Sequence, residues 1–223
     1  MSDAGGRIAA ALSETGARDV LDIGCGGGEM ARVLVQVGHA VTGIDPAPQA
    51  IAAARERVPE ARFVIGGAEA LPFGPGSFDA CVFLNSLHHV PVPLMETALC
   101  EALRVLRPGG EVIVVEPLAE GPFFEVMRPV EDEADIRRAA IAAIDAVMTA
   151  DAVGPAPETW RRPTPVADLG AFIEYLARID PARRAVAEAQ RPVLTRLFAR
   201  HARRAGDGFV LDQPLRMWRL RPV

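Results

Sequence analysis

Lysine is absent from this chain. All 24 basic residues are arginine, which excludes a lysine Schiff base and a phosphate-binding loop built on its lysine. Cysteine is scarce. Cys25, Cys81 and Cys100 are an odd set, with no C-x-x-C pair and no zinc-ligand spacing. That pattern argues against a disulfide framework or a structural zinc and suits a reducing compartment, so a cytoplasmic location is expected. No apolar run approaches the roughly 20 residues needed to cross a bilayer, and no membrane partner is expected. The segment Met1 to Gly6 has neither the basic region nor the apolar core of a signal peptide, and none is expected. Asp, Glu and His do not cluster in a way that suits a metal, and no metal is expected. Excess positive charge is lacking too. The net charge of −5 argues against nucleic acid as the main partner.

What is present is apolar and punctuated. The 223 residues are half hydrophobic, enough for one large α/β domain or one domain with a sizeable insertion. Residues 7–16 read as a short helix with Ile8, Ala11 and Leu12 on one face and Gly16 as a stop. Strands are expected at about 19–23, 40–44, 62–65, 78–84 and 111–116, with helices at about 28–37, 47–57 and 94–106 between them. Strands that are apolar on both faces and alternate with helices imply a parallel sheet covered on both sides. Right-handed crossovers then make it doubly wound. From about 118 to 205 the chain turns helical and rich in Ala and Arg, with helices expected at 130–150, 166–178 and 181–204, the last kinked at Pro192. The end, Gly208 to Leu220, reads as two short strands.

The chemistry concentrates between Val20 and Glu29. An apolar run ends in Asp22, followed by Gly24, Cys25, Gly26 and Gly28. Glycines there let backbone approach a ligand where a Cβ would clash. A second apolar run ends at Asp45, where an acid can accept hydrogen bonds from ribose hydroxyls. A dinucleotide fingerprint would place glycine at position 29. Glu29 stands there, and a carboxylate beside a helix N-terminus repels a pyrophosphate. A cofactor without phosphates is therefore favoured, and S-adenosylmethionine is one. Asp22 either ties down loop amides or contacts the cofactor's ammonium. Asp45 has a second reading as N-cap of a helix opened by Pro46.

In these residues the chain resembles the class I S-adenosylmethionine-dependent methyltransferases, and within them the small-molecule branch that includes the ubiquinone and menaquinone biosynthesis enzymes. The resemblance covers about residues 18–117. It rests on Val20 to Gly28, on Gly43-Ile44-Asp45, on Gly67 to Phe73, on Phe78-Asp79 followed by Leu87-His88-His89-Val90, and on Leu103 to Gly110. It implies an α/β, doubly wound Rossmann-like fold with a mostly parallel seven-stranded sheet and a helical insertion before a C-terminal β-hairpin. The cofactor domain would be 1–117 with 206–223, and the insertion 118–205. It also implies roles. Gly24 and Gly26, with Cys25 between them, lie under the methionine part of S-adenosylmethionine. Asp45 holds the ribose and Pro46 packs on the adenine. Ala68 and Glu69 address the adenine edge, in a loop where Gly67 replaces an acid common in the family. The carbonyl of Asn85 meets the ammonium. His88 and His89 lie beside the methyl group, where one is a candidate base or both merely pack and orient the loop.

The insertion would form the lid over a small-molecule substrate. Phe123, Phe124, Met127, Met148, Trp160, Phe172 and Tyr175 either line that pocket or form the insertion's own core. The pairs Arg137-Arg138, Arg161-Arg162, Arg183-Arg184 and Arg203-Arg204 either meet an anionic substrate or carry helix ion pairs. The rival readings are a nicotinamide oxidoreductase, disfavoured by Glu29 and by the lack of lysine, and a non-catalytic cofactor-binding module. The oligomeric state is left open, a homodimer included.

Overall fold

The structure is a computed structural model that describes residues 3–223. Met1 and Ser2, part of the segment read for a signal peptide, lie outside the described residues. The chain divides into two compact units. The first comprises Met1–Glu116, Ala139–Glu158 and Arg216–Val223, and the second Pro117–Arg138 and Thr159–Leu215. Residues 139–158, grouped with the insertion from sequence, thus count with the first unit.

In the first unit, α1 (Asp3–Thr15) leads into β1 (Asp19–Ile23), α2 (Glu29–Gln36), β2 (Ala40–Asp45), α3 (Pro48–Arg57), β3 (Arg62–Ile65), β4 (Phe78–Leu84), α4 (Met95–Arg104) and β5 (Leu106–Pro117). Ile8, Ala11 and Leu12 of α1 are buried as their spacing demands. Gly16 takes a left-handed conformation, φ 67°, just past the helix end. The stripe Met30, Ala31, Val33 and Leu34 buries one face of α2. Strand neighbours run β1 to β2, β2 to β3, β1 to β4 and β4 to β5, all parallel. Parallel pairing with helical crossovers is what the alternating apolar runs require.

Two expectations need correction here. The proline that opens α3 is Pro48, with Ala47 as N-cap, so Pro46 lies outside the helix and Asp45 does not cap it. β5 begins at Leu106 rather than 111. Its register against β4 slips between Phe78, opposite Leu106, and Ala80, opposite Glu111. The slip accommodates Arg107-Pro108-Gly109-Gly110, which lies between the helix and the strand expected from sequence.

The second unit holds α5 (Pro122–Met127), β7 (Glu158–Val166) from Thr159 onward, α7 (Leu169–Ile179), α8 (Arg183–Ala189), α9 (Arg191–His201), β8 (Arg203–Ala205) and the start of β9 (Gly208–Pro222). α6 (Ala134–Ala150) begins in this unit and ends in the first, where β6 (Ala152–Val153) follows. The helix expected over 181–204 is two helices, with Pro192 in the first turn of α9 rather than at a kink. Among the described residues the sheet has nine strands, not seven, in the order β3-β2-β1-β4-β5-β9-β6, with β7 and β8 pairing β9. The expected terminal hairpin within 208–220 is one long strand, and its hairpin partner is β8. Pro214 does not break it. The Pro214 carbonyl accepts from the Leu118 amide and from Gln213 Nε2, both at 2.9 Å, so only the missing donor is lost.

Phe123, Phe124, Met127, Phe172 and Tyr175 resolve as part of the second unit's own core. Phe123, Phe124, Met127 and Phe172 are buried together with Phe198 and Leu211, Tyr175 packs against them, and Phe123 meets Phe172 edge-on at 5.4 Å. A cavity of about 460 Å³ in this unit is lined instead by residues such as Leu169, Phe198, Arg204 and Phe209. Two of the four arginine pairs, Arg137-Arg138 and Arg183-Arg184, carry ion pairs. Arg138 meets Asp135 and Arg184 meets Glu174. Arg137 is buried, bonded to Glu133 and to the Leu118 carbonyl.

Candidate functional site

The register of the first unit brings the sequence-selected residues to one edge. Ile23 lies opposite Ile44, Asp45 opposite Ile65, and Leu84 opposite Val115. The carboxyl ends of β1, β2, β3, β4 and β5 therefore present Gly24, Asp45, Gly66, Asn85 and Glu116 together. That edge is where parallel α/β sheets bind ligands.

The glycine turn is tied to β2. The amides of Gly24 and Cys25 both donate to the Ile44 carbonyl, at 2.8 and 3.1 Å. Gly24, Gly26 and Gly28 all have positive φ, 71°, 49° and 80°, but they serve different ends. A Cβ at Gly24 would meet the Ser86 Cβ at 2.5 Å, and one at Gly28 would press on Ala54 of α3. A Cβ at Gly26 would meet nothing within 4 Å. Gly24 and Gly28 are needed for packing, whereas the space over Gly26 is open to a ligand. Cys25 is buried, and burial raises its thiol far above the ordinary range, so it is packing rather than a nucleophile.

Asp45 uses both oxygens. Oδ2 accepts from the Gly26 amide and Oδ1 from the Ala47 amide, each at 2.9 Å. Each oxygen keeps a further lone pair for a ligand hydroxyl. Pro46 beside it is exposed. Asp22 is only 1 % exposed, and its Oδ2 has no hydrogen-bond partner among the described residues. Burial, helped by the nearby Asp45 charge and opposed by a hydrogen bond from the Ala31 amide, pushes its carboxyl up to about 7. A buried carboxylate with an orphaned oxygen needs a cation or a donor. An adenosyl group bearing an ammonium and a sulfonium fits that need, the open backbone at Gly26 and the spare acceptors of Asp45.

On the far side of β2, Ala68 is buried and Glu69 half-buried. A Cβ at Gly67 would lie 2.3–2.6 Å from the Glu69 carboxylate. The carboxylate of Glu69 thus occupies the space that a side chain at 67 would take. The loop is pinned from α4. The Leu71 amide donates to Glu101 Oε2 at 3.0 Å, and Arg104 donates to the carbonyls of Leu71 and Phe73 at 3.1 and 2.9 Å. These anchors have a faint signal in sequence, an acid and a base three apart on a helix.

After β4, Asn85 adopts φ 52°, the left-handed region that Asn tolerates. Its amide donates to the Val115 carbonyl at 2.8 Å, and its side-chain Oδ1 is buried without a partner among the described residues. Ser86 Oγ donates to the Ile23 carbonyl at 2.7 Å. The turn Leu87–His89 separates the two histidines, which the sequence treats alike. His88 is buried and bonded through Nδ1 to Glu116, while His89 is exposed, its ring 4.2 Å from that of His88. Glu116 is fully buried and also accepts from the Leu87 amide at 2.9 Å. In the sequence Glu116 is only the last residue of the strand expected at 111–116. Its signal was a lone carboxylate ending an apolar strand.

Glu29 also differs from its reading. It lies 2.8 Å from Arg57 and 3.4 Å from Arg32, so its charge is offset at the rim and weighs less against a pyrophosphate than it does bare. The glycine missing at position 29 still departs from the dinucleotide pattern. Among the described residues no group of His, Cys, Asp and Glu is placed to hold a metal ion, and no helix is long and apolar enough to cross a membrane.

Comparison with known proteins agrees with this geometry. A family model described as a methyltransferase domain matches residues 21–114. The chain is 38 % identical over 112 residues to the ubiquinone biosynthesis O-methyltransferase of Xanthomonas campestris pv. campestris, covering 48 % of this chain and 46 % of that protein. It is 38 % identical over 110 residues to the demethylmenaquinone methyltransferase of Tropheryma whipplei, covering 47 % and 44 %. The matches thus span a little under half the length of these curated relatives. The YcgJ protein of Bacillus subtilis shares the fold across 97 % of both chains, with a TM-score of 0.70 at 19 % identity.

Proposed function

We propose that the chain, whose residues 21–114 match a methyltransferase domain, is a class I S-adenosylmethionine-dependent enzyme that methylates a small organic molecule. The observation that carries the proposal is the orphaned Oδ2 of buried Asp22, set at the same strand edge as the open backbone of Gly26. In this reading Asp22 faces the ammonium, directly or through water. Gly24, Cys25 and Gly26 bear the methionine part, and the Asn85 carbonyl meets the ammonium from the β4 side. Asp45 holds the ribose hydroxyls. Pro46 and Ala68 flank the adenine, and Glu69 supplies the acceptor that Gly67 lacks.

When bound, S-adenosylmethionine supplies an electrophilic methyl on a sulfonium. Its acceptor's lone pair or X–H pair forms the new bond to carbon while the carbon–sulfur pair remains on sulfur. What the chain adds is alignment, exclusion of water and, for an X–H acceptor, a place for the proton. A cytoplasmic enzyme belongs to the same proposal, supported by three free cysteines and a net charge of −5.

The test is turnover. The protein is incubated with S-adenosylmethionine and a panel of phenols, quinols, amines and carboxylic acids, and S-adenosylhomocysteine is followed. Acceptor-dependent product supports the enzyme. Tight cofactor binding with no product from any class of acceptor would favour the non-catalytic module.

A further inference from the structure

We infer that Glu116 is the positioning residue that makes His88, rather than His89, the general base of the proposed methyl transfer. The inference rests on the reading of the site given above.

Two donors converge on one carboxylate. The amide of Leu87 reaches Glu116 Oε1 at 2.9 Å, and Nδ1 of His88, the next residue, reaches Oε2. All of this is out of water, since Glu116 is 0 % and His88 4 % exposed. A buried donor left without an acceptor is destabilising, so both sites need an oxygen. Only an acid offers two. A glutamine would give one oxygen and an NH2 group, and the NH2 would face either the Leu87 N–H or the His88 Nδ1–H. The residue must therefore be a carboxylate, although neighbouring β5 positions are apolar.

The consequence falls on the imidazole. With Nδ1–H committed to Glu116, the neutral ring carries its free lone pair on Nε2. The ring cannot turn over without breaking the buried bond. The turn beneath it is fixed from both neighbouring strands, through the Asn85 amide to Val115 and Ser86 Oγ to Ile23. When the acceptor's X–H proton passes to Nε2, the X–H pair becomes the bond to the methyl carbon, and the ring becomes an imidazolium. The Glu116 carboxylate then faces that cation. His89 sits on the same turn but is exposed.

The test compares Glu116→Gln, Glu116→Asp and His88→Gln with the parent protein. The first readout needs no cofactor: the ¹⁵N signals of His88, which report which ring nitrogen bears the proton. The parent should show Nδ1–H with bare Nε2, and Glu116→Gln should lose that signature. Glu116→Gln should also lower kcat by about 10²–10⁴-fold while the Kd for S-adenosylhomocysteine stays within about threefold, and Glu116→Asp should recover part of the rate. If Glu116→Gln does not fold, His88→Gln, which retains the Leu87 bond and a donor toward Glu116, must show the same loss of kcat at unchanged Kd. An unchanged tautomer in Glu116→Gln, full turnover in His88→Gln, or a loss in His89→Ala as large as that in His88→Gln overturns the inference. The tautomer result stands by itself, so a failure of the methyltransferase reading is told apart from a failure of this one.

Discussion

The amide of Gly26 donates to Asp45 Oδ2 at 2.9 Å, and the same carboxylate takes the Ala47 amide on its other oxygen. One side chain thus joins the glycine turn after β1 to the segment after β2. Asp45→Ala should remove both bonds and the ribose acceptors at once. The expected outcome is a loss of about 1–3 kcal/mol of stability, from two amides left to water, and loss of measurable S-adenosylhomocysteine binding. Denaturant melts and calorimetric titration check the two effects separately.

Gly24 and Gly26 should respond unequally to alanine. At Gly24 the new Cβ would overlap Ser86 at 2.5 Å, on top of a positive φ, so Gly24→Ala should destabilise the fold by several kcal/mol. At Gly26 the space is open, so Gly26→Ala should cost only the strain of its backbone, about 1 kcal/mol. Its methyl group would stand where the ligand approaches, so affinity should fall at least tenfold. Equal stability losses at the two positions would contradict the packing argument.

Asp22 should make both stability and affinity depend on pH. Its folded pKa is raised from 3.8 to about 7, first by burial and then by Asp45. Below about pH 4 the carboxyl is protonated in both states. Between about 4 and 7 the unfolded chain has released a proton that the native state still holds, so stability falls as pH rises through that window and levels off above it. Over the window the loss is on the order of a few kcal/mol, and Asp22→Asn should abolish it. A cation bound beside Asp22 favours the ionised form, so affinity for S-adenosylmethionine should strengthen from pH 5.5 to 7.5 in the parent and stay flat in Asp22→Asn. Titrations across that range decide the matter.

Glu101 holds the loop after β3 through the Leu71 amide and shares Arg104 with the loop carbonyls. Glu101→Ala should loosen residues 66–73 without unfolding the sheet. Amide hydrogen exchange there should rise about tenfold or more, while exchange in β1 and β4 stays unchanged. Cofactor binding should weaken through the adenine side.

The first half of the sheet was legible because each strand is a short apolar run closed by glycine, an acid or, after β4, asparagine. Asp22, Gly26 and Asp45 stood out there, and the parallel register brings them together. β7 was hidden by Pro163 and Pro165, which read as breakers. In the strand the two prolines alternate with buried Thr164 and Val166, and β7 pairs with β9. Pro214 hid the continuity of β9 in the same way. Glu116 was hidden by distance, since its partner His88 lies 28 positions earlier in the chain, and no local pattern joins them. The second reading of Asp45, as a helix cap, fails because Pro48 rather than Pro46 opens the helix, and only the backbone tells the two prolines apart.

The central claim is that the edge formed by Asp22, Gly26 and Asp45 holds a phosphate-free adenosyl sulfonium. Thermal unfolding with S-adenosylmethionine, S-adenosylhomocysteine or NAD tests it most directly. The expected result is stabilisation by the first two, about 2.7 kcal/mol at 100 times Kd, abolished in Asp45→Ala, with no effect of NAD. Stabilisation by NAD alone, or a shift with S-adenosylhomocysteine that survives in Asp45→Ala, would contradict it.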